Sequence, residues 1–259
     1  MANIIAIFNQ KGGVGKSTAT SNLMAGLTMK GKKVLGIDID SQCHLTKFCG
    51  INSENENTII DLLMNETSAE EAIKSTRFGD IIPCDRNLQI VVSKFVADFN
   101  NAYAFRDVLK NIKDKYDYVL IDCPPNANQV TTSALIASDY IIIPTEAEYF
   151  SLDGVAEIAR TIQSVKMHLN PNLQVLGILI SKYQPRRIST RKYEQNLNNI
   201  ADKVFNSKVF DAKITSTVTV PDSQAYKQSV FEYDKNSKVA KNFMSFVEEV
   251  IKGVEKNGR

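Results

Sequence analysis

No run of apolar residues in this chain reaches the roughly 18 needed to cross a bilayer. The opening MANIIAIFNQ is too short an apolar stretch, with no basic segment before it, to serve as a secretory signal. The expectation is a soluble, cytoplasmic protein. Cysteine is scarce: Cys43, Cys49, Cys84 and Cys123 are all there is, and their spacing matches no zinc pattern. Cys43, His44 and Cys49 are close in sequence, but structural zinc draws four ligands from tight pairs, which disfavours a metal there. Histidine is scarcer still, with only His44 and His168, and neither stands where a strong catalytic base is expected. Seven prolines and 12 glycines form no cluster that reads as a linker, and no internal repeat or low-complexity tract appears. Net charge is also small, at +2.

What is present is a well-filled chain of 259 residues with 43% hydrophobic content, enough for one large α/β sheet domain spanning residues 1–259. The small net charge hides an asymmetry. Residues 181–259 hold 15 Lys and Arg against 9 Asp and Glu, whereas residues 1–180 hold 16 against 20. A basic final third is either a solvated face or a footprint for an anionic surface. Short β-branched runs at Ile4–Phe8, Val34–Asp38, Asp80–Ile82, Leu88–Val92, Tyr118–Asp122, Tyr140–Pro144 and Leu173–Ser181 read as strands. Helical patterns fall between and after them, at Lys16 to about Lys30, Phe95 to Lys113, Ser151 to Leu169, Ser189 to Phe205 and Ser237 to Val254. This alternation predicts a mostly parallel twisted sheet with helices on both faces. Ligands of such sheets bind at the carboxyl ends of strands, so residues 9–18, 38–42 and 122–126 are expected to converge on one site.

The strongest signal is Lys11-Gly12-Gly13-Val14-Gly15-Lys16-Ser17-Thr18, between a predicted strand and a predicted helix. Glycines let backbone N–H groups turn inward around phosphate, and the helix adds the positive end of its dipole. In such a P-loop Lys16 reaches the β- and γ-phosphates and the Ser17 hydroxyl ligates Mg²⁺, so Mg·ATP is the expected ligand. The pattern departs from the usual one at Gln10, where a glycine is common, and at the extra Lys11. An extra lysine beside phosphate is either solvent-exposed or able to act in trans on a nucleotide held by another subunit. Asp122 ends an apolar strand, where a carboxylate can hold a Mg²⁺-bound water. Asp38 ends another strand and is a second candidate for that shell, and Asp40 follows two residues later.

The string NQKGGVGKST resembles the deviant Walker A motif of the partition-ATPase (ParA/Soj) and septum-site (MinD) group. The likeness runs along nearly the whole chain. IDIDSQ, residues 37–42, is similar to the family's VDxDPQ motif with Ser41 in place of proline. YDYVLIDCPP, residues 116–125, resembles its Walker B and switch segment. IIIPTEAEYFSLDGV, residues 141–155, and FEYDKNSKVAKNF, residues 231–243, resemble its later segments. The resemblance implies an ATP-sandwich homodimer in which Lys11 contacts the partner's nucleotide, and Asp40 as the residue that orients the attacking water. It places base contacts around residues 215–222, with Pro221 and Asp222 as candidates.

The resemblance also implies what the switch acts on. Partition ATPases coat DNA non-specifically as ATP dimers, and a ParB-like centromere-binding partner triggers hydrolysis and release. Arg186 matches the family's DNA-contacting arginine, with Arg187, Arg191 and Lys192 nearby. Relatives carry a PRNVR-type segment where this chain has Ile214-Thr215-Ser216-Thr217-Val218-Thr219-Val220-Pro221, so its arginines are missing. Lys213, Lys227, Lys235, Lys238 and Lys241 are the remaining cations of that region. The alternative is a positioning ATPase of the septum-site type, acting on membrane or a protein partner. Such proteins end in a basic amphipathic tail. Here FMSFVEEVIKGVEKNGR carries Glu248, Glu249 and Glu255 and reads as a closing helix burying Phe243, Phe246, Val247 and Val250. A metabolic ligase would need a small-molecule pocket that the sequence does not display. An iron–sulfur role for Cys123 lacks a second cysteine at cluster spacing. No DNA-reading helix-turn-helix precedes the first strand, and weak intrinsic hydrolysis is expected.

Overall fold

The computed structural model describes residues 2–88, 99–146, 152–185 and 188–257. Eight strands form one sheet: β1 (Asn3–Ile7), β2 (Val34–Asp38), β3 (Lys74–Thr76), β4 (Gly79–Ile82), β5 (Tyr118–Asp122), β6 (Tyr140–Glu146), β7 (Gln174–Tyr183) and β8 (Val209–Thr215). Their order is β3-β4-β2-β5-β1-β6-β7-β8. Every pairing is parallel except β3 with β4, an antiparallel edge. The described helices are α1 (Lys16–Met29), α2 (His44–Phe48), α3 (Ile59–Leu63), α4 (Ala69–Ala72), α5 (Ala104–Lys110), α6 (Gln129–Ala137), α7 (Leu152–His168), α8 (Ile188–Phe205), α9 (Thr219–Ala225), α10 (Val230–Tyr233) and α11 (Lys238–Asn257).

The central strands are buried on both sides because successive side chains point to opposite faces of the sheet. Ile4 and Ala6 of β1 join Val119 and Ile121 of β5 in one apolar layer, closed by Val130, Ala134 and Leu135 of α6 and by α7. Ile5, Ile7 and Leu120 face the other layer, closed by Ala19, Leu23, Met24 and Leu27 of α1 and by Phe243, Phe246, Val247 and Val250 of α11. Helix α11 therefore buries the residues that its pattern predicts. Gly26 of α1 marks how closely these two helices approach: a Cβ there would stand 2.5 Å from Val247 Cγ2.

Three expectations differ in detail. The long helix anticipated to end at Lys113 is, over its described part, a 3₁₀ turn at Phe99–Tyr103 followed by the short α5. Asn100 and Asn101 are poor interior helix formers, which compete for backbone hydrogen bonds. Leu88 is helical rather than extended, and residues 89–92 of that anticipated strand lie outside the described residues. The edge strands β3 and β8 were not anticipated. In β8 the buried Phe210, Ala212 and Ile214 alternate with the more exposed Asp211, Lys213 and Thr215, so a period-of-two signal was available there.

Candidate functional site

Parallel register sets the level of the site. Ile7 of β1 pairs with Asp122 of β5, and Asp122 pairs with Asp38 of β2, so three strands end on one line. Beyond Ile7 the chain turns into α1 through a loop whose Gly13 and Gly15 have φ of +76° and +88°, a left-handed backbone that side chains penalise. A Cβ at Gly12 or Gly13 would meet nothing within 4 Å, so the loop opens onto space.

Buried polar contacts hold the loop from behind. Asn9 Nδ2 donates to the Pro144 carbonyl at 2.7 Å, and Asn9 Oδ1 accepts the Lys11 N–H at 2.9 Å. Ser181 Oγ lies 2.8 Å from the Val14 carbonyl and 3.1 Å from that of Thr145, with both oxygens as acceptors. Val14 thus contributes backbone to the loop while its side chain is buried. The predicted nest therefore rests on β6 and β7, a support invisible in the motif itself.

Lys16 opens α1, is 6% exposed, and donates from Nζ to the Lys11 carbonyl at 2.9 Å. Burial lowers its pKa, while Asp122, Cys123 and Asp40 pull it back up. A buried ammonium at a helix N-terminus, facing an open glycine loop, is a site for anionic oxygen. Lys11 is exposed at the mouth of the loop.

The three aspartates have different surroundings. Asp122 is fully buried; one oxygen accepts from Thr20 Oγ1 at 3.2 Å, and Oδ2 has no hydrogen-bond partner. Burial, and then Asp38, push its pKa well up, against the opposing pull of the Ser17 hydroxyl and Lys16. A buried, unsatisfied carboxylate oxygen beside a serine hydroxyl fits a cation. Among the described residues no three His, Cys, Asp or Glu side chains form a metal cluster. Mg²⁺ itself takes few protein ligands and completes its shell with water and substrate phosphates.

Asp38, the second metal candidate, is placed otherwise. Its Oδ2 accepts from the Thr46 N–H at 2.8 Å and from Thr46 Oγ1 at 2.7 Å, and its Oδ1 accepts the Asp40 N–H at 3.1 Å. Both oxygens are thus engaged, and Asp38 does not line the cavity. Burial raises its pKa to about 6, opposed by the Thr46 and Asp40 hydrogen bonds. Asp40 does line the cavity, with Oδ1 accepting the Gln42 N–H at 3.0 Å.

That cavity measures about 690 Å³ and runs from Gly12, Gly13, Lys16, Ser17 and Thr18 past Asp40, His44 and Pro125 to Pro221 and Gln224. A second space of about 320 Å³ shares Gly13, Gly15, Thr18, Pro221 and Gln224 with it, and is walled by Leu179, Ile214 and Phe243. Together they give a polar end at the loop and an apolar end between β7, β8 and α11, the form of a site for a phosphorylated flat ring.

Pro221 lines both spaces, but Asp222 lines neither. Asp222 sits one residue further round α9, whereas Gln224 and Ala225, three and four residues beyond Pro221, return to its side. Gln224 was not anticipated, and its Nε2 donates to Thr18 Oγ1 at 2.8 Å. Lys182, ion-paired with Glu146 at 2.6 Å, and His44 are likewise cavity residues that no motif marked. Cys123 is buried, and burial pushes its thiol pKa up, the opposite of a thiolate ligand. Arg186 and Arg187 lie outside the described residues. No described helix is long and apolar enough to cross a membrane.

A family model described as an AAA domain matches residues 2–175. The chain is 34% identical over 253 residues to the sporulation initiation inhibitor protein Soj of Bacillus subtilis, covering 96% of this chain and 98% of that protein. It is equally 34% identical over 253 residues to the chromosome partitioning protein ParA of Caulobacter vibrioides, covering 96% and 93%. Among solved structures, a cobyrinic acid a,c-diamide synthase from Mycobacterium smegmatis with bound ADP and magnesium superposes with a TM-score of 0.85 at 28% identity, covering 100% of this chain and 97% of that one.

Proposed function

The chain belongs to the ParA/Soj family of P-loop partition ATPases, and on that premise we propose that it is an ATP-driven DNA segregation switch. In this reading the 259 residues act as one P-loop domain, in the cytoplasm and on the nucleoid. Two copies close over two Mg·ATP molecules, the dimer binds DNA without sequence preference, and a ParB-like centromere-binding protein stimulates a slow hydrolysis that releases it.

The roles divide as follows. Backbone N–H groups of residues 12–18 and the Lys16 ammonium hold the phosphates, and Lys11 reaches across the dimer to the partner's nucleotide. Ser17 and Asp122 would hold Mg²⁺, which when bound neutralises charge on the β- and γ-phosphates. Asp40 orients the attacking water. Asp38 anchors the Asp40 loop, an assignment that replaces direct metal contact because both its oxygens are already engaged. The base occupies the space beside Pro221 and Gln224. Asp222 is left out of the nucleotide shell.

The observation that carries this reading is the buried, partnerless Asp122 Oδ2 at the same sheet end as Lys16 and Asp40. In this reading Asp122 supplies the cation seat behind the loop, and Asp40, which lines the cavity, supplies the carboxylate that faces water. An electrophoretic mobility shift of random-sequence DNA with ATP, with ADP and without nucleotide tests the function. Retardation confined to ATP is expected. Failure to bind DNA, with ATP-dependent binding of anionic vesicles instead, would favour a membrane-positioning ATPase.

A further inference from the structure

Thr46 stands in α2, is 1% exposed, and does not line the nucleotide cavity. Its hydroxyl nevertheless joins two strand ends. Oγ1 donates to Asp38 Oδ2 at 2.7 Å and accepts the Cys84 N–H, just beyond β4, at 3.0 Å. Its own N–H adds a second bond to the same Asp38 oxygen at 2.8 Å. The opposite oxygen of Asp38 receives the Asp40 N–H at 3.1 Å. Asp40 in turn accepts at its carbonyl from the Cys43 N–H, 2.7 Å away, and at Oδ1 from the Gln42 N–H.

A continuous buried chain therefore runs from the end of β4 through Thr46 and Asp38 to the backbone of Asp40. We propose that Thr46 is a positioning residue for ATP hydrolysis, setting the orientation of Asp40 through Asp38 without touching the nucleotide. The inference rests on the reading of Asp40 as the group that orients water.

Chemistry restricts which residue can serve. Only a hydroxyl side chain of this size both donates to Asp38 and accepts from the Cys84 amide. Valine has the same shape and does neither, whereas serine keeps both bonds. Asp38 is fully buried, and a carboxylate that loses one of three donors there is free to turn. Displacements near 1 Å at a reacting centre cost roughly 100-fold in rate. Nucleotide affinity comes from the glycine loop and Lys16, which this chain does not reach.

The test compares turnover and ATP affinity for the wild type, Thr46→Val, Thr46→Ser and Asp40→Ala, together with the double variant Thr46→Val/Asp40→Ala. Thr46→Val is expected to lower kcat by about 10- to 100-fold while ATP affinity stays within about twofold. Thr46→Ser should recover turnover to within a few fold of the wild type, and Thr46→Val should add no further loss once Asp40 is alanine. Wild-type turnover in Thr46→Val overturns the proposal. So does a loss of affinity matching the loss of turnover, or an equal loss in the Asp40→Ala background, since a merely structural role would produce either. If Thr46→Val does not fold, Thr46→Ala removes the same hydroxyl with less bulk and carries the same comparison. Should Asp40→Ala itself turn over ATP like the wild type, the assignment of Asp40 fails, a result distinct from failure at Thr46.

Discussion

In the proposed site the Lys16 ammonium is the side-chain charge that faces the phosphates. It is buried near carboxylates and donates to a neighbouring carbonyl, that of Lys11, a bond it can exchange for phosphate oxygen. Lys16→Ala should weaken ATP binding by at least about 100-fold, as expected for loss of a charge-assisted contact worth about 3 kcal/mol. Equilibrium titration with a fluorescent ATP analogue measures it. Asp38 supports a second test at this scale. Its folded pKa is about 6, against about 3.9 in an unfolded chain. The native state therefore holds this proton more tightly. The stability Asp38 contributes is full below about pH 4 and is lost as pH rises through about 6, amounting to about 2 to 3 kcal/mol. Asp38→Asn lacks that titration and also removes a charge that helps hold the Asp122 pKa up, which shifts the pH dependence in the same direction. Urea denaturation without Mg²⁺ should show its stability improving relative to the wild type by at least about that amount between pH 4 and pH 7.

At the scale of elements, the site depends on α1 being clamped between the sheet and α11. Gly26 permits the contact, because a Cβ there would collide with Val247, itself fully buried and stiff at χ1. Gly26→Ala gains up to about 1 kcal/mol of helix propensity, but overpacking a tight core costs about 1–3 kcal/mol. The net expectation is a loss of about 1–2 kcal/mol, seen as a melting temperature lower by about 2–8 °C in a calorimetric scan. The same scale explains what was legible. Interior strands β1, β2, β5, β6 and β7 announce themselves as apolar runs because both faces are covered. β3 is only three residues, Lys74–Thr76, at an edge, with no apolar face to declare it. Helix α1 was readable from its place after an apolar strand and from the Gly31 that follows it, whereas α9 is a seven-residue helix with a proline inside its range, short of any periodic signal.

For the molecule as a whole, the proposed cycle requires two copies. Lys11 is exposed at the mouth of the loop, and in the proposed dimer its ammonium meets a nucleotide held by the second chain. Lys11→Ala should bind ATP with near wild-type affinity yet remain monomeric in multi-angle light scattering with ATP, where the wild type becomes dimeric. DNA binding belongs to this scale too, since weak phosphate contacts on each copy act together only in the dimer. The Arg186→Glu/Arg187→Glu variant should lose mobility-shifted DNA while keeping ATP-dependent dimerisation. In the wild type, affinity should fall steeply between 50 and 200 mM salt, by about 10³-fold or more if six or more phosphates are engaged.

Contiguous chemistry was determined by the sequence alone. The glycine loop with Lys16 and Ser17, the carboxylates at the ends of apolar runs, and the strand–helix alternation are each local strings whose residue types and period suffice to define them. Strand order was decided only in three dimensions. It sets β5 between β1 and β2, so that Asp38 and Asp122 stand in register although 84 positions separate them. Packing then made two similar carboxylates unlike: Thr46 folds back onto Asp38 and occupies it, while Asp122 keeps an oxygen free. The base-side space is equally a tertiary product, assembled from β7, β8, α9 and α11. A carboxylate's role depends on which donors reach it: Thr46 is only eight positions from Asp38, but whether its hydroxyl turns back onto the acid is decided by the fold around α2.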